Sequence, residues 1–238
     1  MSLWLVVIAG AASPALARAQ TIGQFAAWDA LMVSPTGAFI PTGDDPMAAF
    51  PPNSLALRFG RWRYNADDTS HPTYGLTLSH AVRSRSRVSL TGAYVHVSCD
   101  ECGGWQVSSI DFESRLGATE PGEGLHRVAT SIGVRVSASA ARLRSPPHTI
   151  ARSAALEVPM SLSIRYREGH DLWASLSPGL GYGNMWGPSG SDAGVLRTLG
   201  VTTGLALTSS LGMELGARRV FIVGGPVVFA ASFAWAFQ

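Results

Sequence analysis

The amino-acid sequence predicts an all-β chain, folded as a transmembrane antiparallel up-and-down β-barrel of about ten strands behind a cleaved signal peptide. Three observations lead there: a short apolar run at the N-terminus that ends in small residues, a hydrophobic period of two from residue 53 onward, and a charged fraction of only 14% in 238 residues. Soluble domains carry roughly 25% charged residues, so a chain this poor in them and 46% hydrophobic lacks the material for an ordinary water-facing surface. The net charge of +2 is small and the arginines are scattered, which argues against a nucleic-acid footprint. All 18 basic residues are Arg, a bias that by itself assigns no function.

The first element is the export signal. Leu3 to Ala12 is apolar, Ser13-Pro14 breaks it, and Ala17-Arg18-Ala19 offers the small-x-small pattern of signal peptidase cleavage, so residues 1–19 are expected to be removed and Gln20 to begin the mature chain. The run is too short for a membrane anchor, which needs about 20 apolar residues. Residues 20–52 lack alternation and carry Gly, Pro and Asp at short intervals, so they read as an N-terminal extension, an inner plug or an extra strand, with Leu31 to Ile40 able to pair.

Residues 53–238 form the expected barrel. Side chains alternate across a strand, so a period of two separates an oily face from a polar one. Val227, Phe229, Ala231, Phe233, Trp235 and Phe237 make one large apolar face at the C-terminus, and Leu156 to Tyr166 alternates in the same way. Leu55 to Tyr64, Tyr74 to Val82, Val88 to Ser98, Gln106 to Leu116, Val128 to Ala138, Leu172 to Tyr182, Leu199 to Leu207 and Leu211 to Arg218 complete the set. The uncharged stretch Val220 to Phe237 has the length of a transmembrane helix, but Gly224-Gly225-Pro226 interrupts it and favours a turn between strands.

With the oily residues outward, Arg58, Asp111, Glu113, Arg115, Arg135, Glu157, Arg165, Glu214 and Arg218 share the opposite face with Gly, Ser and Thr. Cations and anions nearly cancel. Inside a narrow barrel they would form a hydrated, salt-bridged interior in which pairing limits the cost of leaving bulk water. Ten strands lie close to the eight that side chains fill and far below the sixteen of a wide porin, so free passage of large solutes is not expected.

On these features the chain resembles the outer-membrane β-barrel proteins of Gram-negative-type bacteria, over about four fifths of its length, without matching one named family. The resemblance implies export by the Sec pathway to the outer membrane, contact with outer-membrane lipids and lipopolysaccharide, and no cofactor or metal. It also makes Phe229, Phe233, Trp235 and Phe237 the C-terminal signal read by the barrel-assembly machinery, although Gln238 follows where most such proteins end on an aromatic residue. Such barrels have short periplasmic links, here Arg83 to Arg87, Gly117 to Arg127, Arg167 to Asp171 and Thr208 to Ser210. The outer loops would be Asn65 to Thr73, Cys99 to Trp105, Ser139 to Ala155, Gly183 to Thr198 and Arg219 to Pro226. Tyr74, Tyr94 and Tyr182 then fall near the outer ends of their strands, and Tyr166, Trp235 and Phe237 near the inner ends, as interfacial girdles require.

The implied function is a non-enzymatic membrane protein that stabilises the membrane, displays loops or passes small polar solutes. The alternative is a lipid-modifying hydrolase. His96 and Ser98 share a strand face, which faintly resembles the His-x-Ser pair of lipid A deacylases and would make Ser98 the nucleophile and His96 the base. The surrounding motif is absent and such pairs are common, so no esterase is assigned. Cys99 and Cys102, in an exported chain, are expected to close a small loop disulfide; the spacing alone also fits a redox pair, but Gly103-Gly104 supplies no helix to activate it. Arg61 and Arg63 face outward near the top of the first strand, where they would either hold lipopolysaccharide phosphates or snorkel. Arg142, Arg144 and Arg152 make one outer loop basic.

Overall fold

Ten strands follow one another along the chain: β1 (Asn53–Arg63), β2 (Ser70–Arg83), β3 (Ser86–Val95), β4 (Trp105–Ala118), β5 (His126–Leu143), β6 (Ile150–Glu168), β7 (His170–Gly187), β8 (Gly190–Ala206), β9 (Leu211–Val220) and β10 (Val227–Phe237). The computed structural model describes residues 50–63, 70–96, 104–118, 126–144, 150–168, 170–187, 190–221 and 227–238. The expected signal peptide, residues 20–49 of the extension, Ser98, Cys99 and Cys102 lie outside the described residues.

Each strand pairs antiparallel with its sequence neighbours, and β1 pairs with β10 from Asn53↔Phe237 to Arg63↔Val227, so the sheet closes into a cylinder. Closure leaves no open edge, and every strand backbone finds its partners within the wall. Within Val220 to Phe237, the uncharged stretch with the length of a transmembrane helix, Val227–Phe237 is a strand.

The pleat sorts the side chains as the pattern requires, with large apolar residues outside. On β10, Phe229 is 51% exposed and Trp235 52%, whereas the intervening Val228, Ser232 and Ala234 are buried. On β2, Leu76 and Leu78 face out while Thr77 and Ser79 face in, where they exchange hydrogen bonds with Thr91 and Ser89 of β3, both at 2.9 Å. A water-soluble sandwich would place the leucines between its sheets; here the buried face is polar and the solvent-side face oily.

The start of β1 and the end of β10 share one end of the cylinder with the tight links. Ser84 and Arg85 join β2 to β3, and residues 207–210 join β8 to β9, where Thr208 Oγ1 accepts hydrogen bonds from the amides of Ser210 (3.2 Å) and Leu211 (3.0 Å). That side-chain mimic of a turn holds the link tight. β-Bulges at Ala81/Arg83 and at Arg115/Gly117 shift the register near the same end.

Two outer-loop expectations need correction. Most of the Ser139 to Ala155 stretch is strand, since β5 runs to Leu143 and β6 starts at Ile150; likewise β7 continues to Gly187 and β8 starts at Gly190 within Gly183 to Thr198. The reason is that the hydrogen-bond ladder outlasts the oily pattern. Outward positions there include Arg142 and Arg152 beside Ile150 and Trp186, so strand pairing persists where the oily alternation is broken by charge. At the other strand ends, β3 ends at Val95, and Val97 and Ser98 of the expected Val88 to Ser98 lie outside the described residues.

Candidate functional site

The polar groups that alternation directs inward converge in the lumen. Arg87 of β3 lies directly opposite Glu113 of β4, Glu113 opposite Arg135 of β5, and Arg135 opposite Glu157 of β6. Cations and anions therefore alternate along one hydrogen-bond line across four strands. Two of these junctions are closed salt bridges, Arg87 Nη2 to Glu113 Oε2 at 2.9 Å and Arg135 Nη1 to Glu157 Oε2 at 3.0 Å, and all four side chains are buried. Directly opposed unlike charges are the favourable cross-strand arrangement, and among buried side chains each also compensates the burial of the next.

The row then leaves the wall and crosses the lumen. Arg218 of β9 reaches past β8 and β7 to Glu157 Oε1 at 3.2 Å, and the same Nη2 donates to Thr198 Oγ1 of β8 at 3.0 Å. Glycines on β7 line this crossing. A Cβ on Gly179 of β7 would lie 3.9 Å from both Arg218 Nη2 and Glu157 Oε1 and against Thr198, and one on Gly181 would stand 2.8 Å from Glu157 Cγ and against the Leu156 carbonyl. Bare backbone on β7 thus gives the Glu157–Arg218 pair its room.

A second acid anchors the far wall. Glu214 of β9 accepts a hydrogen bond from Ser232 at 3.0 Å, with Arg58 and Arg87 the cations that act on it most strongly. Asp111 is buried beside Ser109, whose hydroxyl donates to it at 3.5 Å. Of the charges expected in the lumen, Arg58, Asp111, Glu113, Arg135, Glu157, Glu214 and Arg218 are all buried there. Arg115 is half-buried at the inner end, and the Arg165 side chain lies outside the described residues.

Three lumen residues were not anticipated. Arg87 was assigned to a turn, yet Arg87, Ser89 and Thr91 continue a polar face that begins at the start of β3. Trp173 of β7 is buried inside the lumen, its indole lying over Gly204, where an added Cβ would meet Nε1 at 2.6 Å. Phe50 is the third. Its ring centroid lies 3.9 Å from the Arg115 guanidinium and 4.4 Å from that of Arg87, and its amide donates to the Ser84 carbonyl at 2.9 Å. The amide of Ala81 donates to the Pro52 carbonyl, also at 2.9 Å, so the segment entering β1 is tied to the inner mouth before the barrel begins.

Elsewhere the chemistry is sparse. His96 is exposed just beyond β3, its amide donating to the Pro72 carbonyl at 2.9 Å, and its proposed partner Ser98 lies outside the described residues. Among the described residues no group of three or more His, Cys, Asp or Glu converges as a metal site. The C-terminal aromatics Phe229, Phe233 and Trp235 face outward, and Trp235 packs against Phe237 with ring centroids 5.3 Å apart.

No family model matches the chain, and no curated protein matches it. Among solved structures it is similar to an outer membrane channel from Pseudomonas putida F1, with 11% identity and a TM-score of 0.40 over 82% of this chain and 99% of that one. It is also similar to the KdgM porin in complex with disordered oligogalacturonate, with 8% identity and a TM-score of 0.37 over 78% and 99% of the two chains. The N-terminal β-barrel domain of OprF from Pseudomonas aeruginosa gives 13% identity and a TM-score of 0.33 over 79% of this chain and 100% of that domain.

Proposed function

We propose that this chain is an integral protein of the bacterial outer membrane, a non-enzymatic barrel that stabilises the bilayer and presents its outer loops, with a lumen shut by its own side chains. The observation that carries this reading is the pair of opposed faces. Leu57, Leu76, Leu90, Ile110, Val136 and Leu215 belong to a continuous oily exterior, while Glu157 and Arg218 meet across the interior and are buried. An exposed apolar surface that encircles the molecule has no stable place in water and a natural one in hydrocarbon. The Glu157–Arg218 pair, which reaches from β6 to β9 inside the barrel, supports a closed lumen over an open diffusion route.

Refolding the mature chain into lipid and comparing unboiled with boiled samples on a denaturing gel tests the first half. The barrel is expected to migrate at a different apparent mass until boiled, and co-migration would defeat it. Planar-bilayer recording tests the second. The wild-type protein is expected to insert without resolved current steps, and reproducible steps would replace the closed barrel with a small-solute pore.

A further inference from the structure

Two prolines stand where a closed sheet tolerates them least. Pro159 is the midpoint of β6, which runs from Ile150 to Glu168, and Pro178 lies at the middle of β7, which runs from His170 to Gly187. Proline has no amide hydrogen, so within sheets it is confined to edges, first residues and bulges. A closed barrel has no edge, and neither proline sits at a bulge, because the register runs on unchanged past both.

The phase of the backbone shows which bonds they remove. The Arg144 amide donates to the Gly104 carbonyl, which turns the outward residues of β5 toward β4 and the inward ones, Gly133 among them, toward β6. Continuing the register from Ile132↔Met160 sets Gly133 against Pro159, so its carbonyl meets no ladder donor. On β6 the inward residues then turn to β5 and the outward ones to β7, and the Met160 carbonyl points at Pro178 and meets none either. Pairing lapses at Gly133–Val134 against Val158–Pro159, and again at Met160–Ser161 against Ser177–Pro178. Among the described ladders, only these two break without a change of register.

The two lapses meet in one seam, since both take in β6 between Val158 and Ser161. On its outer side the seam is flanked by Val158, Met160, Leu176 and Leu180, all aliphatic and exposed. On its lumen side the row through Gly133, Pro159 and Gly179 includes two residues without a side chain, immediately inward of the row that carries Arg135 and Glu157. Hydrocarbon offers backbone groups no other partner, so a missing ladder bond weakens a membrane wall more than it would weaken a sheet in water. The wall therefore yields first along β6. Between Pro159↔Gly179 and Leu162↔Leu176 the unlaced stretch spans about 10 Å of strand, the scale of a single alkyl chain and not of a lipid headgroup.

We infer that this seam is a lateral hatch, where β6 parts from its neighbours and an alkyl chain passes from the surrounding hydrocarbon into the lumen beside Gly179. The inference rests on the membrane reading proposed above and extends it: the barrel is shut along its axis and opens through its side. The approach is aliphatic, so the occupant is a hydrocarbon chain, either the tail of a free single-chain amphiphile or one acyl chain of a membrane lipid. Inside, Ser175 on β7 and Thr198, directly opposite Gly179 on β8, are the buried lumen positions that a chain entering there reaches.

The test uses the refolded mature protein in lipid vesicles, wild type and variants alike checked first for heat-modifiable migration. Hexadecanol with a diazirine at its chain end is added in one arm, and a phospholipid with the diazirine at the end of one acyl chain in the other. After illumination, adducts are mapped by mass spectrometry. In the wild type they are expected at the lumen residues Ser175 and Thr198 as well as at outward Leu176 and Leu180, while Thr77 and Thr91, behind the continuously paired β2–β3 wall, stay clean. Lumen adducts from hexadecanol alone assign the hatch to free single-chain amphiphiles, and adducts in both arms assign it to lipid chains as well. Pro159→Ala and Pro178→Ala each return an amide donor while shrinking the side chain. Each is expected to cut lumen labelling about fivefold, the worth of one hydrogen bond, with the outward adducts unchanged. Wild-type adducts confined to outward residues, equal labelling of Thr77 and Thr91, or undiminished lumen labelling when both prolines are replaced would overturn the inference while leaving the barrel standing. A wild-type chain that never becomes heat-modifiable would sink the membrane reading itself, and this inference with it.

Discussion

Two walls of the lumen solve the same packing problem in opposite ways. The wall made by β3 to β6 carries the alternating row Arg87, Glu113, Arg135 and Glu157, whereas β7 and β8, next along the cylinder, carry Gly179, Gly181 and Gly204. One wall supplies bulk and charge; the other supplies space. Arg218 and Trp173 use that space, the first to cross to Glu157 and the second to lie over Gly204. The difference teaches that bulky lumen side chains lie where a neighbouring strand offers bare backbone, Glu157 beside Gly181 and Trp173 over Gly204.

The comparison breaks most severely at the shared acid. Glu157 partners both Arg135 and Arg218, so Glu157→Ala removes an acid that two buried cations share and is expected to cost about 3–5 kcal/mol, measured by urea unfolding of the lipid-refolded barrel. Loss of under 1 kcal/mol would mean that water already hydrates the row. Next comes the outer surface. Leu90 is exposed near mid-height between the aromatic levels, and Leu90→Arg should destabilise by about 2–4 kcal/mol in lipid, the depth-dependent cost of a charge facing hydrocarbon. A neutral result would place that face in water.

The glycine wall gives a smaller and more pointed test. Gly181→Ala drives a methyl toward Glu157 Cγ and the Leu156 carbonyl and is expected to cost about 1–3 kcal/mol, whereas Gly194→Ala on β8 meets nothing within 4 Å and serves as its control. Equal stabilities for the two would show that β7 needs no bare backbone. Smallest is the inner mouth. Phe50→Leu keeps an apolar plug but removes the ring from two guanidiniums, with an expected cost of about 1 kcal/mol and faster proteolysis of the segment before β1.

Much of this was legible in the sequence because alternation is a local property. Phe229, Phe233 and Trp235 declare an outward face and Glu157 and Arg165 an inward one without knowledge of any partner strand. Register is not local, and the misses follow from that. Arg87 sits beside the Ser84–Arg85 link and looks like part of a basic turn until its opposition to Glu113 is known. Trp173 reads as an inconsistency on a polar face until Gly204 is placed across from it. The long outer halves of β5 to β8 were hidden for a different reason: the oily alternation is broken there by charged and small residues, and the strand pairing is not.

The central claim is that hydrocarbon touches one face of these strands and paired charges fill the other. A nitroxide scan along β10 in lipid vesicles, one site at a time from Val227 to Phe237 in a Cys99→Ser, Cys102→Ser background, measures it most directly. The prediction is a period of two, with oxygen accessibility high and water-soluble chelate accessibility low at Phe229, Phe233 and Trp235, and both low at Val228, Ser232 and Ala234. A period near 3.6, or chelate access at the Phe and Trp positions, would contradict it.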